Sequence, residues 1–447
     1  MRPTSTARAA GPGAVGRWEW AVPAAALAAV ALWTAIALGD HFTQDAGLAY
    51  QAGHLAWLNG HPETLTSWDG TPTLAAGMGL VSRVMGESAA ATVVTVVNGL
   101  LLAGLLGVAW WEVRRRAGAV PAAVVLGLGT VFAPAVSTVW WKQFNLISLA
   151  LGVAAFALVR SRRPGYAGAL LALSIAVKPV LVLLPVALLL RRATRAAAVA
   201  TLAWLGALVA GAVALLAWRA HDLRVLDPIS AYRNFDAKTL PYPNGWSCHT
   251  ENFAPTSTLC RLMGADDWTV QRLIIAAFVL VLGAVAFDVV RGRDGRSWWV
   301  FAFASALSPM VSPLAWSHYQ VMLAPLLVVV AVEVARGRPR IGEWATLAAG
   351  YALCELVWRP QGTLFGLIHR LGGAAPEDTQ ALFRVYEVSQ FAQYVVFLAA
   401  VLVLGRRGAV ADQAPVANAV DAAVAGRPWL AGPERAAAAA GTPGAAP

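Results

Sequence analysis

The chain has 447 residues, of which 58% are hydrophobic and only 13% charged, and its mean hydropathy is +0.60. Soluble globular domains carry about a quarter charged residues and roughly 45–50% apolar ones. The composition therefore excludes an ordinary soluble enzyme, a disordered chain and a small disulfide-rich domain. The net charge of +10 does not point to nucleic acid, because the arginines stand in short clusters between apolar runs rather than along one face.

Twelve apolar segments follow in chain order. They cover 18–39, 88–111, 119–138, 143–159, 165–177, 179–190, 196–218, 270–290, 297–310, 319–335, 342–358 and 385–405. A span needs about 20 apolar residues, so the expected class is all-α, a polytopic membrane protein of about 12 transmembrane or re-entrant helices. The run 165–190 is either one long helix or two short ones broken at Lys178–Pro179. The hairpin is preferred, since a Pro-broken pair is tolerated where it lines a cavity.

Positive charge sets the orientation, because cytoplasmic loops carry the excess of Lys and Arg. With the N-terminus inside, the clusters Arg114–Arg116, Arg160–Arg163, Arg191–Arg195, Arg291–Arg296, Arg336–Arg340 and Arg406–Arg407 all fall on the inner side. The expected division is a cytoplasmic N-terminus (1–17), a membrane domain (18–407) and an Ala/Pro/Gly-rich cytoplasmic tail (408–447) that reads as disordered. Outer loops cover about 40–87, 219–268 and 359–384. The chain belongs in the cell membrane as a multi-pass protein, with membrane lipid as its surroundings and its chemistry on the extracytoplasmic side.

Chemistry-bearing residues gather in those outer stretches. Residues 46–58 have helical apolar spacing, so a surface helix is expected there. Asp45 is either its N-cap or a carboxylate at the membrane boundary that serves as a general base. Asp40 is the adjacent competitor. In Trp140–Asn145, the tryptophans and Lys142 fit interface anchors, whereas Gln143 and Asn145 are amides able to hydrogen-bond a sugar. Lys178 sits in an apolar run, either snorkelling to the interface or binding an anionic phosphate. In the run Ser308–Tyr319, Trp316, His318 and Tyr319 form an aromatic, imidazole-bearing face. His318 is either a satisfied interfacial histidine or a donor to a phosphate oxygen. In the loop 219–268, Asn252 and Arg261 are polar contacts. Cys248 and Cys260 lie on the oxidising side, where a disulfide would contribute about 3 kcal/mol. Cys354 reads as a buried apolar residue. No spacing of Cys and His suits a metal, and no nucleotide-binding loop occurs.

Four of these stretches together resemble glycosyltransferase family 87, polytopic GT-C type enzymes of actinobacterial envelopes. They are Asp45 with Tyr50 and Gly60; Gln143 with Asn145; Lys178 followed by prolines and the arginine cluster at 191–192; and Ser312, Pro313, Trp316, His318 and Tyr319. A weaker likeness runs from Asn252 to Arg261. The chain departs from the family at Thr71-Pro72-Thr73, where a Tyr-Pro-Pro stretch is common, and at His318-Tyr319, where a His-His pair is usual.

The resemblance implies a membrane glycosyltransferase that uses a polyprenyl-phosphate sugar donor and a glycolipid or envelope polysaccharide acceptor. No cofactor, no metal and no nucleic-acid partner are expected, since the candidate cations are side chains and no cluster of outer carboxylates is obvious. Asp45 would be the catalytic base. Lys178, His318 and Arg261 would bind the donor phosphate, and Tyr50, Gln143, Asn145, Trp316 and Tyr319 the sugar or acceptor. The sugar would be mannose or arabinofuranose. The competing class is a flippase or transporter of lipid-linked sugars, which usually shows repeated halves; no such repeat is evident.

Overall fold

The computed structural model describes residues 18–40, 44–61, 70–221, 268–291, 294–311, 317–337, 340–355 and 392–407. All regular structure among them is helical. The helices are α1 (Trp18–Gly39), α2 (Gln44–Asn59), α3 (Pro72–Val81), α4 (Glu87–Ala117), α5 (Ala119–Thr130), α6 (Ala133–Trp140), α7 (Asn145–Arg160), α8 (Pro164–Val177), α9 (Leu183–Leu189), α10 (Arg195–Ala220), α11 (Trp268–Val290), α12 (Trp298–Val311), α13 (Ala324–Arg336), α14 (Ile341–Glu355) and α15 (Ala392–Arg407), with a 3-10 segment, Ser317–Leu323, leading into α13.

Each of the twelve expected apolar segments falls on helix, but they are not twelve full spans. Among the described residues four helices are long and apolar enough to cross a membrane, and the bent pair α5–α6 makes a fifth. Helices such as α7 and α8, with 16 and 14 residues, are only about 21–24 Å long, short of a hydrocarbon core of about 30 Å. Buried faces of α7, α8 and α12 hold the core, around Phe156, Leu171, Leu181, Trp299 and Phe301. Leu100, Trp111 and Leu280 instead stand exposed on helix exteriors, as lipid-facing side chains do.

The chain reverses at Lys178. The start of α8 meets the start of α10 so closely that a Cβ on Gly168 would lie 2.5 Å from Ala200 Cβ and 2.7 Å from the Thr201 amide nitrogen. These two helices therefore run parallel, and the segment 178–194 returns between them. Small residues let backbones approach in this way. The Arg191 guanidinium then donates to the Val290 and Arg291 carbonyls, and Arg160 stacks over Trp298. One end of the bundle thus collects the arginines; α7 brings the chain to it from the opposite end, and α8 carries it back.

The segment 119–138 is not one helix. It breaks after Thr130 and bends by 40° into α6. Pro134 sits in the first turn of α6, where its missing N–H costs nothing. The free amide of Ala133 donates to Glu355 Oε1 (3.1 Å), and Tyr351 Oη donates to the Leu128 carbonyl (2.9 Å). Side chains of α14 thus satisfy the backbone groups that the break releases.

Helix α3 was not expected inside the 40–87 loop. Thr71 caps it, accepting from Leu74 N at 3.0 Å, and Pro72 opens it. Thr71 Oγ1 also donates to the Ala176 carbonyl at the end of α8.

Candidate functional site

The end of the bundle opposite the arginines holds a polar cluster, and each member is fixed by local structure. Asp45 lies on α2. That helix begins at Gln44, so Asp45 is in the first turn and not the N-cap. There a carboxylate faces the positive end of the helix dipole. The expected helix forms and is firmly held. Ala46, Ala49, Ala52 and Ala56 are buried, and a Cβ on Gly53 would stand 2.5 Å from the Met78 carbonyl carbon of α3. Tyr50 Oη donates to the Met85 carbonyl (3.1 Å), and Arg219 Nε donates to the Trp57 carbonyl (2.6 Å).

Gln143 lies in the turn joining α6 to α7. Its N–H donates to Thr138 O (3.0 Å), and the Lys142 N–H donates to Val139 O (3.2 Å). This is the paired closure of a helix whose following residue is left-handed, a place usually filled by glycine. Here it is Lys142, at φ 54°. Its Nζ donates to the Asp40 carbonyl (2.9 Å). Burial pushes the Lys142 ammonium below its ordinary range, and the Asp40 carboxylate pulls part of the way back. Asn98 of α4, buried, donates to the Gln143 carbonyl at 2.8 Å.

Lys178 follows the last residue of α8, in extended backbone. Pro179 requires this, since the residue before a proline is kept out of the helical region. Ser174 Oγ donates to Ser148 O (2.8 Å) and Ser148 Oγ to Ser174 O (2.9 Å), which lock α8 on α7. His318 and Tyr319 lie on the 3-10 segment, whose His318 carbonyl accepts from Asn145 Nδ2 (3.2 Å).

With Asn145 bound to the His318 carbonyl, these elements bring six of the expected residues into one chain of contacts. Gln143 Nε2 donates to Asp45 Oδ2. Lys178 Nζ donates to Gln143 Oε1 at 2.7 Å and lies 4.5 Å from the centroid of the Tyr319 ring. The rings of Tyr319 and His318 meet edge to face at 5.1 Å. His318 Nε2 and Asn145 Oδ1 are buried with no hydrogen-bond partner among the described residues. A buried polar atom left so is costly; the imidazole nitrogen can donate to a phosphate oxygen or pair with a hydroxyl, whereas the amide oxygen can only accept, from a hydroxyl.

Other expected residues stand apart. Tyr50 turns its hydroxyl to Met85 and stacks on His54. Cys354 is buried and free, as expected. Arg261, Trp316, Asn252 and the pair Cys248 and Cys260 lie outside the described residues. Asn98 was not anticipated; its signal is an amide in the apolar run of α4. Asp40 was expected as a rival to Asp45, and its carbonyl instead anchors Lys142.

An apolar cavity of about 460 Å³ lies in the bundle next to residues adjoining this cluster, though no member of the cluster lines it. It reaches Leu146, next to Asn145, and Val321, on the segment that carries His318; its other end lies at Glu112 and Arg116 on the arginine side.

No curated protein and no solved structure matches the chain. The sequence model of glycosyltransferase family 87 does match, over residues 68–313, just over half of the chain. That stretch carries Asn98, Gln143, Asn145 and Lys178, while Asp45 and His318 lie on either side of it. On this match the chain belongs to glycosyltransferase family 87.

Proposed function

We propose that this glycosyltransferase moves a sugar from a polyprenyl-phosphate donor to a glycolipid or polysaccharide acceptor at the outer face of the cell membrane. One observation carries the reading: a carboxylate and an ammonium meet on the side-chain amide of Gln143, from positions 98 and 35 residues away along the chain. Asp45 takes the proton of an acceptor hydroxyl, and that oxygen bonds to the anomeric carbon. The bond from the anomeric carbon to the phosphate oxygen breaks, with inversion, and polyprenyl phosphate leaves. Lys178 and His318 stabilise its growing charge, with Arg261 as a further cation. Asn145 receives sugar hydroxyls, with Trp316 and Tyr319 completing the sugar and acceptor surface.

Two features support a lipid donor at this end. The apolar cavity near the cluster suits a polyprenyl chain. The arginine-rich turns stand at the opposite end of the bundle, which the positive-inside rule puts in the cytoplasm. Mannose is the favoured sugar, and arabinofuranose is second.

The test incubates purified protein with polyprenyl-phosphate-mannose or polyprenyl-phosphate-arabinose and a glycolipid acceptor. Release of free polyprenyl phosphate is expected, and Asp45→Asn lowers it by about 10²–10⁴-fold while donor binding stays. Near-normal turnover in that variant removes the assignment. Movement of intact donor between leaflets, without release, makes the protein a flippase.

A further inference from the structure

We infer that Gln143 is a positioning residue: its side-chain amide holds the Asp45 carboxylate ionised and keeps the Lys178 ammonium in register with it. This rests on Asp45 acting as the base. The sequence suggests a different task for Gln143, contact with a sugar, but both ends of its amide are already engaged. The NH₂ group donates to Asp45 Oδ2, and the carbonyl oxygen accepts from Lys178 Nζ at 2.7 Å.

The chemistry of the two partners fixes the direction of this amide. A carboxylate needs a donor, and an ammonium needs an acceptor. A side-chain amide offers one of each on separate atoms, and Asn is shorter than Gln by one carbon. Glu offers two acceptors, which suit Lys178 and repel an ionised Asp45. Leu offers neither. Gln143 is itself held rigidly: it is 1% exposed, its N–H is bound to Thr138 O and its carbonyl to Asn98 Nδ2. A group fixed by its own neighbours transmits that order to the groups it bonds.

A hydrogen bond donated to the ionised form of an acid favours that form, so Gln143 lowers the pH below which Asp45 is protonated and inactive. Other charged groups face α2. On its approach stand Asp40 and Lys142. From α4 comes Glu87, bonded to Gln51. Arg83, beyond α3, and Arg219 of α10 lie against Trp57. Tyr50 and His54 belong to α2 itself. None of these is altered by changing Gln143.

The experiment measures kcat and KM against pH, at saturating donor, for the full chain in lipid nanodiscs. In Gln143→Leu, kcat falls roughly tenfold or more, and the acidic limb of the profile moves up by about one pH unit. Gln143→Glu has nearly the size of the native residue and keeps the test readable should the Leu variant not fold. It moves the limb further up, because the introduced carboxylate and Asp45 then share a proton. A limb unmoved in both variants overturns the inference, whatever their loss of rate. Full turnover in Asp45→Asn instead overturns the base assignment, so the two failures are distinguishable.

Discussion

Lys178 Nζ sits 4.5 Å from the centre of the Tyr319 ring, so the ammonium at the α8 reversal is held by an aromatic face and by the side-chain oxygen of Gln143. A cation over a ring gains about 0.5–2 kcal/mol, and the gain depends on the ring rather than on its hydroxyl. Tyr319→Phe is therefore expected to keep the KM for donor, and Tyr319→Leu to raise it several-fold. Steady-state kinetics with varied donor separates the two.

Helix α2 carries Asp45 on a backbone that presses directly against α3. At Gly53 even one added carbon would meet Met78 and Gly79 backbone atoms at 2.5 and 2.6 Å. Backbone cannot swing aside as a side chain can. Gly53→Ala is expected to cost about 1–3 kcal/mol, seen as a lower unfolding temperature in detergent. It also lowers kcat, since α2 shifts with Asp45 on it. A Gly53→Ala variant with native stability and kcat would show that the α2–α3 approach does not position Asp45.

Among the described residues three helices end on a non-glycine residue in the left-handed region, Lys142 at φ 54°, Arg162 at φ 56° and His221 at φ 52°. Arg162 is exposed, and its turn repeats the closure seen before Gln143, with Arg163 N–H donating to Leu158 O at 2.9 Å. Arg162→Gly removes the steric cost and is expected to stabilise by about 0.5–1 kcal/mol net of the added freedom of the unfolded chain. Lys142→Gly relieves the same cost but loses the bond to Asp40, and is expected to destabilise and to lower transfer. Thermal unfolding of the pair, with turnover for the second, checks both signs.

Much of this was legible from residue order. Apolar length gave the helices, and Pro179 after Lys178 gave the reversal, because a residue before proline cannot continue a helix. The grouping of Asp45, Gln143, Lys178 and His318 followed from their resemblance to one family. What they do to each other was not legible. The amide of Gln143 meets Asp45 and Lys178 only because the α6–α7 turn is closed by Thr138 and Asn98. The N-cap expected at Asp45 was wrong by a short shift of the helix start, the least certain quantity in a sequence reading. The break between α5 and α6 hides inside a continuous apolar run, and Pro134 hints at it only weakly, since proline is also at home in a first turn. Helix α3 announced itself through Thr71-Pro72, an N-cap followed by proline, yet it sits within what otherwise reads as a polar loop.

The break between α5 and α6 has a consequence for biogenesis. The acceptor for the Ala133 amide is Glu355, 222 residues further along. At ribosomal speeds, on the order of ten to forty seconds separate the synthesis of the two. Through that interval the N-terminal helices must carry an open amide, and it closes only when α14 is delivered beside them. The Asp45, Gln143 and Lys178 part of the polar cluster is thus drawn up early in translation, while His318, Tyr319 and the wall that holds Glu355 follow late.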